Sequence, residues 1–201
     1  MTYNSRETAL VLIECQNDFM SDGGAFYDGV RESMQANGML EHTKTSLAAA
    51  RRAGATVMHA PISFAKGYAE LGPSPSGILK GVVDHNAFVK GTWGAEIVAD
   101  LKPAEGEIII EGKRGLDVFA STNLDFILRS MRIKNLVLAG FLTNCCVEST
   151  MRTGFENGFN VITLTDCMAA TSPAGHDAAV GYTFPMFSTV SKSGDFVGDL
   201  D

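Results

Sequence analysis

The sequence predicts an α/β protein: a three-layer, doubly wound and mostly parallel sheet with helices on both faces. Short apolar runs alternate along the chain with longer stretches of helical pattern. The runs are rich in β-branched residues or leucine and barely alternate between polar and apolar positions, which is typical of strands covered on both faces. Alternating strands and helices favour an open sheet with right-handed crossovers.

Five strands and five helices are predicted in this order. The strand candidates are 9–13, 56–60, 108–110, 136–139 and 161–164. The helix candidates between them are about 33–53, 94–101, 121–131, 146–157 and 174–181. Glycines at 54, 140 and 158 punctuate these elements, as expected at helix ends and turns.

The segment 61–92 interrupts this rhythm. It is rich in proline and glycine and follows the second predicted strand. A long irregular insertion in a compact domain is usually functional or mobile, and ligands bind beyond the carboxyl ends of the strands in open α/β sheets. We therefore expect one domain over 1–201 with an insertion at about 61–92. The insertion is either a substrate wall or lid, or a surface excursion that makes a subunit contact.

Composition excludes several classes of protein. The chain has 201 residues, a formal net charge of −7 and 45% hydrophobic residues. Disorder is disfavoured by the ordinary apolar fraction, and nucleic-acid binding by the acidic balance without a basic cluster. Four cysteines, at 15, 145, 146 and 167, are too sparse for a disulfide scaffold and lack the spacing of a zinc site. With no visible targeting segment or membrane span, we expect a cytoplasmic protein with four free thiols.

Three chemically able side chains follow three different predicted strands. Glu14 ends the first apolar run, Lys113 follows the third, and Cys146 follows the fourth and opens a helix. A carboxylate, an amine and a thiol brought together at strand ends are sufficient for covalent catalysis, with the thiolate as the attacking group. Taken one at a time, each also has an ordinary interpretation: a solvated or paired carboxylate, a surface lysine and a packing cysteine.

Local motifs strengthen the catalytic interpretation. The segment from Gly140 to Thr150, GFLTNCCVEST, closely resembles the nucleophile motif of the isochorismatase-like cysteine hydrolases. LIECQNDF at 12–19 resembles the first-strand motif of the same family. Further resemblances lie at 112–114, 119–124, 158–161 and 165–169. Together they cover about 7–190 in the family's order, which implies the isochorismatase-like hydrolase fold.

The resemblance also implies the catalytic residues. Cys146 aligns with the family nucleophile and Lys113 with the catalytic lysine. Glu14 stands where the family has aspartate, and we interpret it as the acid/base because it keeps the charge and the strand-end position. Asp18 is the fallback for this role, and it is otherwise a cap or turn residue. Cys145, next to the nucleophile, is expected to pack beside the sheet.

A non-proline cis peptide precedes the nucleophile in this family. By position it would join Phe141 and Leu142 here. The resemblance implies that the amides of Leu142 and Cys146 then form an oxyanion hole.

The expected reaction is hydrolysis of a C–N bond of a small molecule (an amide, a carbamoyl or ureido group, or a lactam) through a thioester, without cofactor. The four histidines are scattered, which disfavours the metal-dependent nicotinamidases of the family, so no metal is expected. Cys146 argues against isochorismatase proper, which lacks the cysteine. Candidates for substrate contact are Gln16, Asn17, Phe19, Phe64, Trp93 and Phe119. Arg114 and Lys66 are the available cations for a carboxylate.

Other interpretations remain open at this point. One is a catalytically impaired small-molecule-binding protein on the same fold, which the Glu14 departure could signal. Another is a structural or interaction protein assembled through apolar surfaces. A dinucleotide-binding oxidoreductase is weaker, because no G-x-G-x-x-G turn follows the first strand. The family resemblance further suggests a homodimer or homotetramer.

Overall fold

A six-stranded parallel sheet forms the centre of the computed structural model, which describes residues 2–200. The strands lie in the order β3-β2-β1-β4-β5-β6, and every neighbouring pair is parallel. Their bounds are β1 Thr8–Ile13, β2 Thr56–Ala60, β3 Ile108–Ile109, β4 Asn135–Phe141, β5 Asn160–Ala169 and β6 Thr189–Ser191. The predicted fold class is confirmed.

Helices cover both faces of this sheet. They are α1 Asn17–Met20, α2 Tyr27–Asn37, α3 Met39–Ala53, α4 Gly77–Asp84, α5 Leu124–Ser130, α6 Glu148–Glu156, α7 Pro173–Ala178, α8 Phe184–Phe187 and α9 Ser193–Asp199. Among residues 2–200, no helix is long and apolar enough to cross a membrane.

Two apolar cores lie on opposite faces of the sheet. Along β1, Leu10 and Leu12 point into the core covered by α2, α3 and α9, whereas Val11 and Ile13 point into the core covered by α5, α6 and α8. All six residues of β1 and all seven of β4 are buried. This double burial is the physical reason that the strands read as continuous apolar runs rather than as alternating patterns.

Two of the predicted helices differ from the structure. The candidate at 33–53 is split at Gly38, whose φ of 58° ends α2 and precedes α3. The candidate at 94–101 does not form; two 3₁₀ turns, Trp93–Ala95 and Ala99–Leu101, take its place. Its carbonyls bind elsewhere: Glu96 O accepts from the amide of Asn17 and Ala95 O from the side chain of Gln16.

The insertion at 61–92 is more ordered than its composition indicates. Its ends pair with each other, because the Phe64 amide donates to Phe88 O and the Lys90 amide donates to Phe64 O. Between these ends lies α4, an amphipathic helix. The apolar residues of α4 are spaced for one helix face, but the surrounding prolines and glycines obscure that pattern in the sequence.

The sheet order places a topological switch point between β1 and β4. The chain builds β2 and β3 on one side of β1 and then crosses to start β4 on the other side. In open α/β sheets the crevice outside the carboxyl ends of such strands is where ligands bind. Glu14 directly follows β1 and Leu142 directly follows β4, so both lie at this crevice.

Gly140 allows the close approach of β4 to β1, and a larger residue there is expected to destabilise the fold. Its φ is 117°, and a Cβ built there would lie 2.0 Å from the carbonyl oxygen of Ile13. We expect Gly140→Ala to lower the free energy of unfolding by about 3 kcal/mol or more, measured by denaturant titration.

Gly81→Ala in α4 is the matched control. A Cβ at Gly81 meets no atom within 4 Å, and the residue is helical. The control is expected to stabilise the protein by up to about 1 kcal/mol. Equal effects of the two substitutions would contradict this account of the β1–β4 contact.

Candidate active site

A buried ion pair between Glu14 and Lys113 lies at the carboxyl edge of the sheet. The Lys113 side chain is 0% exposed and that of Glu14 is 3% exposed, and the Lys113 ammonium donates to Glu14 Oε1. The same ammonium also donates to the carbonyl of Gly115 at 2.7 Å. Burial alone would lower the pKa of Lys113, but the charge of Glu14 reverses this effect, so the pKa is raised and Lys113 is an ammonium.

The loop that carries Lys113 has no regular structure of its own and is held by hydrogen bonds. Gly112 has a φ of 93°, and a Cβ there would lie 2.4 Å from the Ser121 carbonyl oxygen. The Val118 amide donates to Thr150 Oγ1 on α6. These contacts fix the loop against the helix that follows the predicted nucleophile.

Glu14 itself has a left-handed backbone, with φ 54°. Few non-glycine residues adopt this region. Its amide donates to Ala60 O at the end of β2, and its carbonyl accepts from the Gln16 amide at 2.7 Å. The chain therefore turns sharply at Glu14, and the carboxylate is presented at the end of β1 instead of continuing the strand.

Cys146 lies on a single π-helical turn, Thr143–Val147, that leads into α6. It is 3% exposed, and it lines the same cavity as Glu14. A hydrogen bond with Cys145 and burial raise the pKa of Cys146 well above its ordinary value, and the Glu14 carboxylate adds to the rise. The Lys113 ammonium acts in the opposite direction. A buried thiol of this kind needs a base before it can attack.

The peptide bond between Phe141 and Leu142 is cis, at the position that the family resemblance implied. It joins the end of β4 to the π-helical turn of Cys146. The Leu142 carbonyl accepts from the amides of Cys145 and Val147 at 3.0 and 3.1 Å. The Leu142 side chain reaches the cavity, so this junction links the sheet to the site.

A cavity of about 130 Å³ opens beside Cys146 and Glu14. We call it the apolar pocket, because apolar side chains form most of its lining: among them Phe19, Phe26, Val82, Phe88 and Leu116. Of the six residues predicted for substrate contact, Phe19 alone is part of this lining.

The other five predicted contact residues lie elsewhere. The Gln16 side chain donates to Ile62 O and Ala95 O, and that of Asn17 donates to Trp93 O. Phe64 is fully buried in the core beside Tyr68, Trp93 is 51% exposed, and Phe119 packs on Phe159. None of these five residues lines the pocket in this structure.

Asp18, the fallback for the acid/base, is engaged by backbone amides. Its Oδ1 accepts from Ala25 at 3.1 Å, and its Oδ2 accepts from Phe88 at 2.6 Å. The carboxylate thereby ties the start of α2 and the end of the insertion to α1. This arrangement corresponds to the cap or turn interpretation of Asp18.

The four cysteines differ in their surroundings. Burial raises the pKa of Cys15, and it raises that of Cys167 to about 12. Both side chains belong to the core on the α2–α3 face. Cys145 is partly exposed, whereas Cys146 faces the pocket. Among residues 2–200, no group of three or more His, Cys, Asp or Glu side chains could hold a metal ion.

A hydrogen-bonded chain lies behind the turn of Cys146, and no sequence motif indicates it. Thr143 Oγ1 lies 2.9 Å from His176 Nδ1, and His176 Nε2 lies 3.3 Å from Asn37 Nδ2. The Asn37 amide also donates to Met168 O. Because Asn37 is the donor here, Nε2 of His176 accepts and Nδ1 carries the hydrogen that Thr143 receives. This assignment requires a neutral histidine.

The fold is that of an isochorismatase-like hydrolase. The chain belongs to the isochorismatase family: the model of the isochorismatase domain matches residues 8–195. The predicted class of enzyme, an amidohydrolase that acts on C–N bonds of small molecules, is confirmed.

Individual relatives span nearly the whole chain. It is 32% identical to the ureidoacrylate amidohydrolase RutB of Agrobacterium fabrum over 98% of this chain and 92% of that protein. A cysteine hydrolase from Pseudomonas syringae pv. phaseolicola has the same fold, with a TM-score of 0.86 at 22% identity over 99% of this chain and 94% of that one. An isochorismatase family protein from Desulfovibrio vulgaris matches with a TM-score of 0.79 at 27% identity, covering 94% and 95%.

The buried pair leads to a prediction about stability. Lys113→Met leaves the Glu14 carboxylate buried without its partner, so we expect it to lower the free energy of unfolding by about 3–5 kcal/mol. The double variant with Glu14→Gln removes the stranded charge and is expected to recover at least about 1 kcal/mol of that loss. Denaturant titrations of the two variants and the native protein measure both values. A double variant no more stable than Lys113→Met would show that the Glu14 charge is not stranded by the loss of Lys113.

His176 gives a prediction about pH. Burial lowers its pKa, with Asp177 opposing, so the folded state binds the proton less readily than the unfolded state. The stability that neutral His176 provides is present above the unfolded pKa of about 6.5 and is lost as the pH falls below it. We expect the midpoint of thermal unfolding to fall between pH 7 and pH 5.

The matching variant is His176→Gln, which cannot take up the proton. We expect it to be less stable at pH 7 and to show a shallower decline towards pH 5. His85→Gln, at an exposed position, is the control. A decline of unchanged steepness in the His176 variant would refute the assignment.

Proposed function

We propose that Cys146 is the nucleophile of a cysteine amidohydrolase that cleaves a C–N bond of a small amide, carbamoyl, ureido or lactam substrate. The observation that carries this proposal is the grouping at one cavity: Glu14, held by Lys113, lines the same pocket as Cys146. A thiol whose pKa is raised needs an adjacent base, and Glu14 is the carboxylate that lines the pocket with it.

The first half of the reaction forms a thioester. Glu14 takes the proton of the Cys146 thiol, and the thiolate sulfur attacks the substrate carbonyl carbon. Lys113 balances the negative charge as it moves from the carboxylate to the sulfur. The oxyanion receives hydrogen bonds from the amides of Leu142 and Cys146. Its collapse breaks the C–N bond, and protonated Glu14 gives its proton to the leaving nitrogen.

The second half returns the enzyme to its resting state. A water molecule loses a proton to Glu14 and attacks the thioester carbonyl carbon. The C–S bond then breaks, the acid product leaves, and the sulfur regains its proton from Glu14. Both halves use one carboxylate as base and then as acid, which is consistent with its burial beside a permanent cation.

Ureido compounds are the first substrates to test. A relative that aligns with nearly the whole chain is named a ureidoacrylate amidohydrolase. A urea carbonyl can undergo the same attack by the Cys146 thiolate. The covalent intermediate is then an S-thiocarbamate, because one nitrogen stays on the carbonyl carbon, and its hydrolysis gives a carbamic acid that loses carbon dioxide. The cytoplasmic location and the homodimer or homotetramer stay predictions.

Substitution of the two adjacent cysteines tests the proposal. We expect Cys146→Ala and Cys146→Ser to lower ammonia release from amide and ureido substrates by about 1,000-fold or more, because the covalent step is lost. Cys145→Ser keeps the nucleophile and is expected to retain most of the activity. The measurement is kcat/KM, with mass spectrometry of a quenched reaction to detect the acyl adduct on Cys146.

Two outcomes would contradict the assignment. Equal loss in the Cys145 and Cys146 variants would mean that the nucleophile is wrongly placed. Absence of both turnover and electrophile labelling at Cys146 would favour the alternative, a catalytically impaired binding protein.

A further inference from the structure

Aromatic side chains that pack on one another form one wall of the apolar pocket. The rings of Phe19, Phe26 and Phe88 line it, with centroids 5.1 to 5.8 Å apart, and Phe141 stacks on Phe19 at 4.8 Å. These four residues form what we call the aromatic cluster. Aromatic pairs at such separations add to the stability given by burial alone, so the cluster is a preformed surface.

Phe88, one wall of the pocket, is held in an unusual backbone conformation. Its φ is 55°, a left-handed conformation that a bulky residue rarely adopts. The amide of Phe88 donates to the buried carboxylate of Asp18 at 2.6 Å, which holds it there. Backbone strain of this kind persists where the surroundings over-determine it, and it concentrates at ligand sites.

The insertion supplies the opposite wall through α4. Ile78, Leu79 and Val82 line the pocket. The charged residues of α4 lie on its exposed side, where Lys80 donates to both carboxylate oxygens of Asp84 at 2.8 and 2.5 Å. The helix therefore turns its apolar face to the pocket and keeps its charges outside.

No cation within the described part of the chain lines the pocket. Its ionisable lining residues are Glu14 and Cys146, the groups proposed for the chemistry. Arg114, one of the two candidate cations, pairs with Glu70 at 3.3 Å, and Lys66, the other, is exposed outside the lining. Lys113, the cation next to the pocket, is already paired with Glu14, so a substrate carboxylate in this pocket would have no free counter-charge and would face Glu14.

The size of the pocket limits what can fill it. Its volume of about 130 Å³ is similar to that of an apolar cavity of about 150 Å³ that holds benzene in another protein. A branched aliphatic chain of a few carbons or a single aryl ring fits this space.

From these observations we propose that the substrate carries an uncharged, apolar substituent of about this size, a branched alkyl or single-ring aryl group, on its amide or ureido carbonyl. The substituent packs between the aromatic cluster and α4. The reaction in this inference rests on the proposed function, whereas the preference for an apolar substituent rests on the pocket alone. It distinguishes this chain from an enzyme for carboxylate-bearing ureido acids.

Two isosteric pairs of substrates test the proposal. One pair is (3-methylbutyl)urea and 3-ureidopropionate, and the other is 4-methylpentanamide and succinamate. Within each pair an isopropyl end replaces a carboxylate of nearly the same shape. We expect kcat/KM for ammonia release to favour the apolar member by at least about 100-fold, because a buried carboxylate would be unpaired. Equal rates, or a preference for the carboxylate, would overturn the proposal.

Matched variants locate the effect in the pocket. Ile78 is 43% exposed at α4, so arginine is tolerated there, and Ile109 on β3 is 49% exposed away from the pocket. We expect Ile78→Arg to reduce the apolar preference at least about tenfold by offering a counter-charge. Ile109→Arg is expected to leave the preference unchanged. Equal effects of the two variants would overturn the assignment to the pocket.

A binding measurement separates the two proposals. Calorimetric titration of Cys146→Ala with each compound reports specificity without turnover. If this variant binds the apolar members but the native protein hydrolyses nothing, the function fails and the specificity stands. If the carboxylates are hydrolysed at Cys146 as well as or better than the apolar members, the function stands and the specificity fails. If neither class binds, the specificity proposal is overturned.

Discussion

The buried pairing of Glu14 with Lys113 is the constraint on which the site depends. Two charges removed from water lose far more solvation than a surface pair, so each is stable only in contact with the other and with further hydrogen bonds. The contact fixes the end of β1 against the loop after β3, two segments 99 residues apart in sequence. The sharp turn at Glu14 and the close approach at Gly112 both serve this geometry. It also sets a carboxylate and an ammonium near the buried thiol of Cys146.

Much of the fold is predictable because strands that are buried on both faces have continuous apolar sequences. The runs at 9–13 and 136–139 lie in β1 and β4, where every residue is buried. The edge strands give a weaker sequence signal, because β3 has two residues and β6 has three. The helix expected at 94–101 fails for a reason that local pattern does not contain: its carbonyls bind amides beyond the end of β1.

The candidate site also has a part that the sequence predicts and a part that it does not. Glu14, Lys113 and Cys146 could be proposed from the sequence because each lies within a recognisable motif at or shortly after the end of a strand. The predicted substrate-contact residues rest on residue type, and residue type does not tell where a side chain points. The amide of Gln16 is already used by two backbone carbonyls, one of them 79 residues away in sequence. Phe88 and Val82 come from a segment whose glycines and prolines conceal a helix, so the pocket emerges only from long-range packing.

One consequence of the position of α4 concerns how such an enzyme changes over time. The helix forms a wall of the pocket but contributes none of the three proposed catalytic side chains. It lies in a loop whose two ends are hydrogen-bonded to each other, apart from the sheet. Part of the recognition surface is thus encoded on a stretch of chain separate from the proposed catalytic residues. If the proposed roles hold, mutations in this short helix change which molecules are accepted and leave the chemistry at Cys146 intact, so diversification of substrate range needs no redesign of the scaffold.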